Sequence, residues 1–147
     1  MSTLRNPVLR TWETVLTEHS TSVRAARRLI CEQLASWGWS GEPVDDLALI
    51  VSELVTNAVV HACRGDDEIR LYLQEFDGDC RLEVWDPRGD LSVRRPRPQR
   101  FGEGGRGVEL VRQLAFDFGV TGRCGAGKRV WVRVLRDPAD SLPSSGS

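Results

Sequence analysis

The chain has 147 residues, of which 40% are hydrophobic, so it can form one compact domain with a core and has little room for a second. Charged residues make up 28% and the formal net charge is -1, so no overall charge bias indicates binding to nucleic acid or to a membrane surface. No stretch approaches the roughly 20 apolar residues that a membrane-spanning helix needs.

The cysteines are widely scattered and form no CxxC pair, which disfavours a zinc site or a disulfide framework. The N-terminal residues contain no apolar region of the kind found in signal peptides. Free thiols without a signal peptide predict a cytoplasmic protein. The four cysteines are Cys31, Cys63, Cys80 and Cys124.

The first part of the chain predicts one strand followed by two helices. Residues 8–16 partly alternate between apolar and polar and predict a strand at a sheet edge. Residues 23–37 show a helical period that stops at Gly38. A longer helix is predicted over about 44–63, with Pro43 in its first turn.

A hairpin and a long loop follow these helices. Residues 68–76 alternate clearly, the sequence DGD indicates a tight turn, and residues 80–86 form the partner strand. The stretch from 87 to 107 is rich in Gly, Pro and Arg and has no apolar period. A connection of about 20 residues is long for a compact domain, and such loops are usually functional or disordered.

The last elements are a helix over 107–115 and two strands, at 116–120 and 128–135. Together the elements predict an α+β fold, a two-layer sandwich in which helices cover one face of a mixed, mostly antiparallel sheet. We expect one domain over 8–136, with flexible tails at 1–7 and 137–147.

Polar residues recur every four positions along the second helix, as Glu53, Asn57 and His61. This spacing keeps them on nearly one face. An asparagine oxygen is a suitable ligand for magnesium, and a carboxylate one turn away can orient or deprotonate a hydroxyl. The stripe therefore suits a magnesium-dependent phosphate reaction, although the polar edge of an ordinary amphipathic helix explains it equally well. A broad apolar stripe runs beside it and comprises Leu47, Ile50, Val51, Leu54 and Ala58.

Two further motifs suit a nucleotide. Asp86 ends a hydrophobic strand, where its carboxylate could accept a hydrogen bond from an exocyclic amine, and Gly89 would let the backbone approach a flat ring. Gly104, Gly105 and Gly107 precede a helix whose N-terminal N–H groups could bind phosphate. Taken singly, the first motif could be a common turn and the second a flexible linker.

The order of these motifs carries more information than any one of them. An ELxxN helix, a strand that ends in Asp, a long loop and a GxG helix start resemble the Bergerat, or GHKL, ATP-binding fold. Within that fold, the chain resembles the single-domain anti-sigma factor serine/threonine kinases. The segments SVRAARRLICEQLASWG and GKRVWVRV are also similar to that branch, so the resemblance covers roughly residues 8–136.

The resemblance implies a role for individual residues. Glu53 corresponds to the catalytic carboxylate, Asn57 to the Mg²⁺ ligand and Asp86 to the acid that binds adenine. Gly89 would lie under the nucleotide. His61 stands where this branch often has histidine, although it could equally cap the helix or lie in the core. The ATP lid would span 88–105, Lys128 has no assigned role, and the remaining nucleotide contacts would be Gly104, Gly105, Arg106, Gly107 and Val108.

The implied activity is phosphoryl transfer from ATP to a serine or threonine of an anti-anti-sigma (STAS-type) protein, combined with sequestration of a sigma factor. No direct contact with nucleic acid or membrane is expected. The alternative is a partner-binding regulator with weak or no ATP use, because Arg88 and Asp90 interrupt the family's DxGxG box. The resemblance also implies a homodimer, and its surface could include Trp12, Trp37 and Trp39, which could equally be core residues.

Overall fold

The protein is described from a computed structural model, which describes residues 7–17, 21–61, 67–86, 106–122 and 127–136. These residues form five strands and three helices, and each element lies within two residues of its predicted bounds. The predicted α+β class is therefore confirmed. In chain order the elements are β1 (Val8–Leu16), α1 (Ser22–Ser36), α2 (Glu42–His61), β2 (Ile69–Phe76), β3 (Asp79–Asp86), α3 (Arg106–Leu114), β4 (Asp117–Gly122) and β5 (Lys128–Leu135).

The strands form one sheet in the order β1-β2-β3-β5-β4. The predicted edge position of β1 is confirmed. The sheet was expected to be mixed and mostly antiparallel, and all four pairings between the described strands are antiparallel. Because β5 pairs with both β3 and β4, residues distant in sequence become neighbours at the strand ends.

One face of the sheet packs against the helices and forms the core. Alternate residues of β2, including Leu71 and Leu73, are fully buried, as the period of two predicts. The apolar stripe predicted for α2 is also buried, with Leu47, Ile50 and Val51 at 0% exposure. None of the helices in the described segments is both long and apolar enough to span a membrane.

The tryptophans of the α1–α2 connection belong to the core. Trp37 is 9% exposed and Trp39 is 2% exposed, while Trp12 is partly buried against the same cluster. Of the two interpretations left open by the sequence, the structure supports the core for Trp37 and Trp39. The connection turns at Gly38, whose φ of 88° lies in the left-handed region that favours glycine. The predicted helix stop at Gly38 is thus confirmed.

A buried carboxylate connects β2 to the α1–α2 connection and to both ends of the described chain. Glu75 is 1% exposed although it carries a charge. Its Oε1 atom accepts a hydrogen bond from Nε of Arg10 at 2.6 Å, and its Oε2 atom accepts one from Nε1 of Trp39 at 2.8 Å. Arg136 lies 3.9 Å from Oε2 and donates to the carbonyl oxygen of Gly38. These bonds compensate the cost of removing the carboxylate from water.

Candidate functional site

Helix α2 positions the two central residues of the candidate site. It packs against α1, α3, β3 and β5, so most of its circumference is covered. Glu53 and Asn57 are half-buried and lie at the edge of this covered surface. At about 100° per residue, the two side chains are separated by about 40° around the helix and by about 6 Å along its axis. They therefore share one flank of α2, as the spacing predicts.

The strand that ends in Asp86 lies beneath this helix. Asp86 is the last residue of β3 and is 2% exposed. A carboxylate is rarely buried to this extent without a specific reason. Its Oδ2 atom is buried and accepts no hydrogen bond from the described residues, although Asp86 does take part in another interaction. The structure thus places a buried carboxylate at the end of a strand that α2 contacts.

Lys128, for which the sequence predicted no role, lies opposite Asp86 in the sheet. The register of β3 and β5 pairs Lys128 with Asp86. Directly opposed residues of antiparallel strands have Cβ atoms about 5 Å apart and point to the same face. Lys128 is half-buried, and it is the only lysine of the chain. The site thus contains a cationic side chain next to its buried acid.

The glycine-rich start of α3 is described only in part. Arg106 begins the helix and Gly107 lies in its first turn. The backbone also places His61 at the end of α2 and Val108 in α3, but the description does not extend to the side chains of Arg106, Val108 and His61. Gly89, Gly104 and Gly105 and the predicted lid over 88–105 lie outside the described residues. Their predicted contacts with nucleotide remain predictions.

The chemistry of the described side chains fits a nucleotide with its magnesium ion. Asp86 offers a buried acceptor suited to an amine, and Asn57 offers an amide oxygen suited to a hard cation. Within the described segments, no group of three or more His, Cys, Asp or Glu side chains could hold a metal ion by itself. Magnesium commonly needs only one or two protein ligands, since phosphate oxygens and water complete its coordination.

Comparison with known proteins identifies the family. Residues 16–134 match the family model of the histidine kinase-like ATPase domain. The serine-protein kinase RsbW of Listeria monocytogenes serotype 4a (strain HCC23) is 33% identical over an alignment of 93 residues, and the match covers 54% of this chain and 59% of that kinase. The RsbW of serotype 4b (strain CLIP80459) matches to the same extent, so the chain spans less than two thirds of these relatives.

A solved structure shows the same fold. The structure of the RsbU and RsbW domains of Rv1364c from Mycobacterium tuberculosis superimposes with a TM-score of 0.66. It is 20% identical, and the match covers 87% of this chain and 33% of the other. The ordered motifs, the family model and the shared fold agree with one another. The chain belongs to the histidine kinase-like ATPase domain family, and within it is similar to the serine-protein kinase RsbW.

Proposed function

We propose that this protein is an ATP-dependent serine/threonine kinase that phosphorylates an anti-anti-sigma (STAS-type) protein in the cytoplasm and sequesters a sigma factor. Two observations carry the proposal: Glu53 and Asn57 share one flank of α2, and Asp86 is buried at the end of β3, a strand that α2 contacts. The name of the Listeria relatives, serine-protein kinase, supports the same reaction.

In this proposal each residue of the site has a separate task. Asp86 accepts a hydrogen bond from the amine of adenine, and this bond selects the base and determines how far the ring enters the site. Asn57 holds Mg²⁺, which supplies neutralising charge to the phosphates. Lys128, opposite Asp86, adds positive charge at the nucleotide end of the sheet. The protein thus contributes positioning and charge, on which phosphoryl transfer mainly depends.

Glu53 acts on the acceptor rather than on the nucleotide. Its carboxylate orients the serine or threonine hydroxyl and accepts its proton as the oxygen forms a bond to the γ-phosphorus. The bond between that phosphorus and the β–γ bridging oxygen breaks, and ADP leaves. Glu53 is half-buried at the border of the covered surface, so it can face the nucleotide site and still be reached by a second protein.

The alternative is a regulator that binds its partner on the same fold without phosphorylating it. It is favoured by Arg88 and Asp90, which replace glycines of the family's DxGxG box. Both hypotheses require a partner, but only the kinase requires bound ATP and magnesium.

The first test measures ATP binding by calorimetry, with and without Mg²⁺, for wild type and Asn57→Ala. We expect magnesium-dependent binding that weakens at least tenfold in the variant, because the variant lacks the amide oxygen that holds the ion. The matched control is Thr56→Ala, since Thr56 is the exposed neighbour of Asn57 on the same helix and should leave ATP binding unchanged. Wild-type protein that does not bind at millimolar ATP would contradict the kinase proposal and favour the partner-binding regulator.

A further inference from the structure

Helix α2 exposes two large apolar side chains on either side of Glu53. Leu49 is 48% exposed and Val60 is 63% exposed. They are eleven residues apart, which corresponds to about 16 Å along the helix and to about 20° around it. Thr56 is exposed between them. We call Leu49, Thr56 and Val60 the α2 stripe; it is a narrow surface, open to solvent, that runs past the proposed catalytic carboxylate.

Around the axis of α2, Glu53 lies between the α2 stripe and Asn57. Viewed along the helix, all three residues of the α2 stripe lie within about 60° of Glu53 on its solvent side. Asn57 lies about 40° away in the opposite direction, on the side where α2 becomes buried. Glu53 therefore forms the border between the proposed nucleotide site and the α2 stripe. A side chain at this border can contact a hydroxyl that arrives from the stripe.

The helix carries negative charge beyond one end of the stripe. Glu42 and Asp45 are exposed in the first turn of α2, about 10 Å and 6 Å before Leu49 along the axis. Burial, followed by the charges of Glu42 and Asp45, raises the pKa of Asp46. The first turn is thus a region of negative potential, and it complements a basic group on a bound protein.

We propose that the α2 stripe docks the protein that accepts the phosphoryl group. The partner would present its serine or threonine hydroxyl between two apolar contacts, at Leu49 and Val60, and a basic side chain toward Glu42 and Asp45. This inference rests on the proposed kinase function and adds to it the surface that selects the acceptor. Burial of two apolar side chains beside the reactive hydroxyl would hold it in reach of Glu53.

The test compares wild type with the double variant Leu49→Gln/Val60→Gln, since glutamine is a good helix former and replaces the apolar surface with a polar amide. The probes are purified STAS-type proteins encoded in the same genome, and both their phosphorylation and their binding by interferometry are measured. We expect kcat/KM for phosphorylation to fall about 10- to 100-fold, mainly through KM, with a matching loss of binding. ATP binding should stay within twofold of wild type.

The matched control is Leu9→Gln/Leu135→Gln. These leucines are 53% and 52% exposed. Leu9 lies on the edge strand β1, and Leu135 ends β5 on the face of the sheet opposite to that of the buried Val134. An equal loss in the control would show that replacing any two exposed apolar side chains with glutamine weakens the reaction, and it would overturn the inference. Unchanged phosphorylation and binding in the α2 double variant would overturn it too, as would weakened ATP binding, since the stripe would then belong to the nucleotide site.

Failure of the kinase proposal gives a different result. If a STAS-type protein binds wild type but is not phosphorylated, the kinase proposal fails, and the docking inference is decided by whether the double variant loses that binding. If no protein of the set binds to wild type, the docking inference is overturned.

Discussion

Replacing Glu53 with glutamine is expected to lower the rate of phosphoryl transfer to the acceptor protein by about 10²- to 10⁴-fold, the range for loss of a general base. Glutamine keeps the size and the hydrogen-bonding capacity of the side chain but cannot accept the hydroxyl proton at neutral pH. Affinity for ATP should change little, because Glu53 contacts the acceptor in this proposal. Single-turnover transfer of labelled phosphate, measured at saturating ATP, separates the chemical step from binding.

Asp45→Asn is the matched control for this experiment. It removes one negative charge from the same helix, but its site is exposed and two turns from Glu53. Its transfer rate at saturating acceptor should stay within about threefold of wild type, because solvent screens an exposed charge at that distance. A Glu53→Gln variant that retains full activity would exclude Glu53 as the base, even if the protein were a kinase.

The largest effect on stability is expected from Glu75→Ala, at about 3–5 kcal/mol. The substitution removes a buried carboxylate that binds both Arg10 and Trp39. It leaves the buried indole N–H of Trp39 without this acceptor and Arg10 without its counter-charge, and it creates a small cavity. Thermal and urea unfolding should both show the loss, with a melting temperature lower by on the order of 10 °C. Glu68→Ala is the control, because Glu68 pairs with Arg70 at 3.4 Å on the surface and should cost less than about 1 kcal/mol.

The pH dependence of unfolding provides an independent readout of the same residue. Burial alone would raise the pKa of Glu75, but hydrogen bonds from Arg10 and Trp39 and the charges of Arg10 and Arg136 lower it below its ordinary value. A carboxyl group whose pKa is lower in the folded state stabilises the protein above the pKa of the unfolded chain, about 4.3. That contribution is lost as pH falls through the lower folded-state pKa. The difference in unfolding free energy between wild type and Glu75→Ala should therefore shrink in acid; a constant difference would assign the effect to packing alone.

Local signals in the sequence were sufficient for the secondary structure. The bounds of α2 follow from its helical period and from Pro43, which suits the first turn because it lacks an N–H group. The β2–β3 hairpin follows from alternation around Gly78, which adopts a φ of 104°. The stripe of Glu53 and Asn57 was also predictable, since helix geometry alone brings residues four apart to one face.

Contacts between residues distant in sequence could not be predicted from local signals. The sequence left Trp37 and Trp39 undecided between core and interface, because a tryptophan side chain suits both. It did not show that Arg10 and Trp39, which are 65 and 36 residues away in sequence, would bind the carboxylate of Glu75.

The candidate site shows the same division. The α+β class, the polar stripe of α2 and the acid at the end of β3 could be predicted from the amino-acid sequence alone, because each depends on the period or the end of a single element. The position of Lys128 opposite Asp86 was not predictable, because this register depends on β5 pairing between β3 and β4. The exposure of Leu49 and Val60 beside Glu53 also depends on the tertiary structure. The elements that pack against the other flanks of α2 decide which flank remains exposed to solvent.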